Sequence, residues 1–70
     1  MKRIKLYEVE FLNYTNPMEN TIKTTKDDYI DVKKPIIISE NDIDFVNNNI
    51  VGGIKSLKFV GYSIELKNIL

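Results

Sequence analysis

Hydrophobic side chains alternate near both ends of the chain, and in both places the alternation changes phase. Near the start, Ile4 and Leu6 bracket Lys5, and then the apolar set moves to Tyr7, Val9 and Phe11. Near the end, Leu57 and Phe59 share a face, and then the set moves to Val60, Tyr62, Ile64 and Leu66. Strand side chains alternate with period two, so each switch demands a bulge, a bend or burial on both faces. Gly61 stands at the second switch, where a residue without a Cβ bends cheaply. The pattern predicts two long, bent strands, over residues 2–14 and 54–66.

The middle of the chain is more broken. Asn16-Pro17 marks a turn within 13–20, because proline fixes its own φ and biases Asn16 towards extended conformations. Residues 21–25 are β-prone and are expected to form a short edge strand paired with the first. Lys26-Asp27-Asp28 reads as a turn. Alternation returns over 29–32, Lys33-Lys34-Pro35 interrupts it, and Ile36-Ile37-Ile38 follows. Three consecutive isoleucines cannot all face one side of a strand, so at least one points into a second layer or an interface.

Residues 39–50 form the helix candidate. Ser39 can cap it, Glu40, Asp42 and Asp44 place acids at the positive end of the dipole, and Ser39 with Asp42 imitates a capping box. Ile43, Val46 and Ile50 fall on one stripe, with Phe45 on the opposite side. A strand is the competing reading, with Ile43 and Phe45 alternating against Asp42 and Asp44. Asn47-Asn48-Asn49 is expected to fray the helix and Gly52-Gly53 to end it. Residues 67–70 make a tail, pinned by Ile69 and Leu70. The order is β-β-β-α-β, without repeats or low-complexity linkers. The expected class is α+β: a small twisted antiparallel sheet of three to four strands with one short helix on one face.

Seventy residues are expected to form a single domain, 1–70. A chain of this size buries only about 60% of the surface its unfolded form exposes. With no Cys and no His, neither a disulfide nor a soft metal site can add stability, which leaves an aliphatic core or a homodimer. Lys and Arg together number 10, as do Asp and Glu, so no net charge steers the chain to nucleic acid or an anionic membrane. No apolar stretch approaches the ~20 residues of a membrane span. Charged, alternating sequence follows Met1-Lys2-Arg3, so no signal peptide is read and a cytoplasmic location is expected; the Asn13-Tyr14-Thr15 sequon has no consequence there. Alanine is absent while Ile, Asn and Lys abound, a bias of AT-rich coding. The expectation is a complete small open reading frame from a low-GC bacterium, its phage or another mobile element, acting in the host cytoplasm if phage-encoded.

Candidate chemistry is sparse. Without His or Cys as base or nucleophile, and with no G-x-S-x-G around Ser39, Ser56 or Ser63, no catalytic residues, and no enzyme, are expected. Asp42-Ile43-Asp44 starts like a calcium loop, but Asn47 and Gly53 stand where Gly and Glu are required, so neither metal nor cofactor is expected. The run 55–62 resembles, in part, the RNP1 signature of RNA-recognition motifs. Lys55, Phe59, Val60 and Tyr62 match, while Ser56, Leu57 and Lys58 do not. That resemblance covers one strand, and the helix the fold needs after its first strand is not visible in 14–38. It implies single-stranded nucleic-acid binding through Lys55, Lys58, Phe59 and Tyr62 as an alternative function.

The remaining features suit protein surfaces. Phe45 lies outside the helix stripe, and Tyr29 sits among Asp27, Asp28 and Asp31, which with Asp42 and Asp44 suggest an acidic face. The expected function is non-catalytic binding of a protein partner through Asp27, Asp28, Tyr29, Asp31 and Phe45. A phage or mobile-element inhibitor of a host or defence protein, of the anti-CRISPR kind and acting by steric occlusion, is its concrete form. Nucleic-acid binding and a structural subunit working as a homo-oligomer are the alternatives.

Overall fold

The β-branched and aromatic residues at the two ends of the chain pair with each other. A computed structural model describes residues 2–14 and 21–65, with only the backbone of Glu65. The Asn16-Pro17 turn, Leu66 and the 67–70 tail lie outside the described residues. In chain order the elements are β1 (Lys2–Phe11), β2 (Thr21–Lys23), β3 (Tyr29–Asp31), β4 (Ile37–Ser39), a 3₁₀ turn (Glu40–Asp42), α1 (Ile43–Asn49) and β5 (Ile54–Glu65). The fold is α+β. Its main sheet is antiparallel and three-stranded, in the order β4-β1-β5, and β2 and β3 form a second sheet of two strands.

The β1–β5 ladder carries the predicted irregularity. Leu6 stands opposite Gly61 and Tyr7 opposite Phe59, so Val60 has no partner across the ladder. One extra residue at this point reverses the facing of everything beyond it. Gly61 follows with φ 149°, in the positive half of the map that a side chain disfavours. A second register shift leaves Lys55 unmatched, since Glu10 opposes Ser56 and Phe11 opposes Ile54.

The expectation that residues 21–25 pair with the first strand is corrected. Strand β2 pairs with β3, and among the described residues its pairing with the first segment is an isolated bridge between Tyr14 and Ile22. Local turn chemistry wins. The Thr24 amide donates to the Asp28 carbonyl at 2.7 Å, and the Thr24 hydroxyl accepts from the amides of Lys26 and Asp28. Asp27 takes φ 65°, a conformation that aspartate tolerates better than most residues. The stretch expected as one further strand is two, β3 and β4, separated by Lys33-Lys34-Pro35.

Strand β4 resolves the triple isoleucine. Ile38 lies opposite Tyr7, and the Ile36 carbonyl accepts from the Val9 amide at 2.8 Å; both side chains pack against the core. Ile37, opposite Glu8, turns to the other face and stays exposed.

The 39–50 segment is helical. The Ser39 hydroxyl accepts from the Asn41 amide at 3.0 Å, opening the 3₁₀ turn that leads into α1. The asparagines hold the helix end together. Asn49 donates from its side-chain amide to the Phe45 carbonyl, and the Asn47 side-chain carbonyl accepts from the Ile54 amide at 2.9 Å, tying α1 to the start of β5. Gly52 and Gly53, at φ 83° and 70°, make the left-handed turn between them.

Val9, Phe11, Ile22 and Ile50 form the buried core, with Tyr14, Val46 and Ile54 among the residues packed around it. It draws on both sheets and the end of α1, and it sits at one end of the β1–β5 ladder in a molecule 42 Å long and 23 × 17 Å across.

Candidate interaction surface

Pairing and alternation assign the faces of the long ladder. Residues opposed in an antiparallel pair share a face, and every second residue along a strand joins them. Arg3, Lys5, Tyr7, Val9 and Phe11 therefore share one face with Ile64, Tyr62, Phe59, Leu57 and Ile54. The other face carries Glu8, Glu10, Ser56, Lys58 and Ser63 beside Ile4 and Leu6. The extra residue at Val60 is what brings Phe59 and Tyr62, three positions apart, onto the same side.

This first face has two halves. At the Phe11 end it carries the core, against which Val46 of α1 packs, and the Asn47 side chain accepts from the Ile54 amide. Towards the other end, Phe59, Tyr62 and Ile64 lie outside that core and, among the described residues, stay about half-exposed.

The exposed half is aromatic and cationic. The Tyr7 and Phe59 rings meet edge to face at 6.0 Å, and the Phe59 and Tyr62 rings at 5.2 Å. The Arg3 guanidinium lies over the Tyr62 ring, 5.3 Å from its centre, an attraction between a cation and the negative ring face. Phe59 is 49% exposed, Tyr62 50% and Ile64 54%. Among the described residues on this face of β1 and β5, Arg3 and Lys5 are the charged ones and no carboxylate joins them. Glu40, at the β1 edge, accepts a hydrogen bond from the Lys5 backbone amide at 2.6 Å.

The residues expected to bind nucleic acid are divided by this geometry. Phe59 and Tyr62 come together. Lys58 opposes Glu8 on the opposite face, and Lys55 forms an ion pair with Glu10 at 3.1 Å. Arg3, Lys5, Tyr7 and Ile64 were not singled out from the sequence. Pairing the two phase-switching strands antiparallel around Val60 would have found them.

The residues expected to bind protein are divided between the β2–β3 turn (Asp27 and Asp28), β3 (Tyr29 and Asp31) and α1 (Phe45). Asp27 pairs with Lys23 at 3.0 Å, Asp28 closes the hairpin turn, and Asp31 accepts weakly from the Thr21 hydroxyl at 3.5 Å. Tyr29 is exposed on the hairpin face that carries Lys23, whose ammonium stands 5.8 Å from the ring centre. The hydrogen bond to Asp27, its negative charge, and a smaller contribution from Tyr29 hold the Lys23 ammonium above its ordinary pKa of 10.5. Phe45, 70% exposed, borders a shallow groove of about 350 Å³ together with Asp28, Ile30 and Ile50. Phe45 and Asp28 thus converge there, while Tyr29 and Asp31 alternate to the hairpin face opposite Ile30.

No group of three or more carboxylates suited to a metal ion occurs among the described residues. No helix among them is long and apolar enough to cross a membrane. Compared with family models, curated proteins and solved structures, the chain matches none.

Proposed function

We propose that this chain is a non-catalytic protein-binding module whose contact surface is the exposed half of the main sheet. One observation carries the reading: Phe59, Tyr62 and Ile64 stand half-exposed in a row beside Tyr7, with Arg3 laid on Tyr62. Contiguous apolar patches rimmed by polar groups mark interaction sites, and tyrosine and arginine dominate the energetic centres of interfaces. The module acts by occlusion, covering a surface that its partner needs. Inhibition of a host or defence protein by a phage or mobile-element product is the finer form of this proposal, supported by the AT-rich coding bias.

The test is a comparative capture from a lysate of the source cell. Proteins retained by the wild-type chain and lost with the Phe59→Asp, Tyr62→Asp double variant support the reading. Retention of the same proteins by both baits removes this face from consideration.

A second reading, single-stranded nucleic-acid binding, is favoured by the same two rings standing near Arg3 and Lys5. Bases stack on exposed aromatics, and phosphate contacts make affinity fall with salt. Titration with labelled oligonucleotides at two salt concentrations decides it: tight, salt-sensitive binding that requires Phe59 supports this reading over the first. A homo-oligomeric assembly role is checked by sedimentation velocity across a range of concentrations.

A further inference from the structure

We propose that residues 40–45 form a two-state segment, helical in this structure, whose other state extends β4 along the edge of β1 beyond Ser39, which no described strand occupies. Strand β4 runs antiparallel to β1, with Leu6 opposite Ser39, Tyr7 opposite Ile38 and Glu8 opposite Ile37. The Ile36 carbonyl accepts from the Val9 amide, so the amides of Tyr7, Lys5 and Arg3, at steps of two, point to the same edge. Continued in that register, Glu40 stands opposite Lys5, and its backbone carbonyl is the ladder partner of the Lys5 amide. The chain instead enters the 3₁₀ turn at Glu40, and the side-chain carboxylate of that same residue takes the amide at 2.6 Å. The next ladder position is thus already held by Glu40, through its side chain in place of its backbone.

Charge favours the extension. In the continued register Glu40 opposes Lys5, Asn41 opposes Ile4 and Asp42 opposes Arg3. Two of these pairs join opposite charges, which stabilise cross-strand neighbours. Little holds the same residues in the helical state. Helix α1 has seven residues, none of them buried, and Asp42 makes no capping bond with its side chain. Helices this short are marginal without tertiary packing. Val46 packs against the core, but Ile43 and Phe45 are not among the residues that do. They can therefore unwind into the return connection without emptying it. Residues opposed in an antiparallel pair share a face, so extension brings Glu40 and Asp42 onto the aromatic face beside Lys5 and Arg3. The switch converts two cations there into two cation–carboxylate pairs and draws Arg3 from the Tyr62 ring.

The experiment is NMR on the full-length chain. In wild type, relaxation dispersion should report microsecond-to-millisecond exchange at Arg3, Lys5 and residues 40–45. Glu40→Pro should abolish it, because proline suits the first position of a helical turn but cannot donate to a ladder; Ser39 before it is already extended, at φ −81° and ψ 154°. Ser39→Val with Asn41→Val removes the cap and raises β propensity, so the extended state should dominate in that double variant. Its marks are a cross-peak between the α protons of Ile4 and position 41, a closely spaced pair, and loss of helical shifts over 43–45. Adding Arg3→Glu, which sets like charges opposite Asp42, should lower the extended population about twofold or more. Flat dispersion in wild type overturns the inference, and so does a double variant that keeps helical shifts over 40–45. A cross-peak from Ile4 to position 40 or 42 instead, or a population that ignores Arg3→Glu, overturns the register on which it rests. Should the double variant fail to fold, the wild-type dispersion and its loss in Glu40→Pro decide alone.

Discussion

Phe59 and Tyr62 lie three residues apart in one strand, yet their rings meet edge to face at 5.2 Å and 71°. In an unbroken strand, positions three apart point to opposite sides. The unpaired Val60 supplies the missing step, and Gly61 lets the backbone take it. The contact is therefore a direct readout of the bulge.

Deleting Val60 should keep that contact and remove the bulge. Phe59 would still oppose Tyr7 and Gly61 would still oppose Leu6, so Phe59 and Tyr62, now two residues apart, would share a face by plain alternation. In nuclear Overhauser spectra, cross-peaks between the Phe59 and Tyr62 rings and between Tyr7 and Phe59 should both survive the deletion. If the first set vanishes while the second remains, Val60 is not the extra residue of the ladder.

Gly61→Ala should destabilise the fold by about 1 kcal/mol through the backbone alone. A Cβ there meets nothing within 4 Å, so no clash contributes. Urea denaturation measures this cost, and a stabilised variant would contradict the assigned conformation.

Ile22→Ala and Phe45→Ser should separate core from surface. Ile22 is 2% exposed, and its truncation should cost about 2–5 kcal/mol, a large share of what so small a domain has. Phe45 projects into solvent, and its replacement should change stability by no more than about 0.5 kcal/mol. Thermal melts of the two variants, compared with wild type, provide the check.

Alkaline pH should loosen the Lys23–Asp27 contact. The folded pKa of Lys23 is raised, so its contribution is fully present below 10.5 and is lost as pH climbs through the raised value. Both groups are at the surface, so the effect on stability is small. The direct measurement is an NMR titration of Lys23, whose midpoint should fall in Asp27→Asn. An unmoved midpoint would refute the pairing.

Local chemistry was legible in the sequence wherever one residue type carries it. The phase switch located the irregularity at Gly61, Ser39 and Gly52-Gly53 bracketed the helix, and the run at 36–38 required one isoleucine to face the other way, which is Ile37, exposed and not under a second layer of described residues. Pairing was not legible. Nothing local distinguishes β2 joining β1 from β2 folding back on β3, because the decision rests on side-chain-to-backbone bonds from Thr24 and the left-handed Asp27. The site suffered similarly. Lys58 and Phe59 are neighbours in the chain and so looked like one site, but adjacent strand residues face opposite ways. Arg3 joins Tyr62 only through a register that spans nearly the whole chain.

The lopsided placement of the core sets how firmly the ladder is held along its length. Val9 and Phe11 are buried in the core, whereas Arg3 and Ile64 lie outside it and are exposed. Amide protons should therefore exchange slowly at the first end and progressively faster towards the second. A ligand seated on the bare half would quench that gradient, so docking would be visible as new rigidity in β1 and β5 even before any complex was imaged.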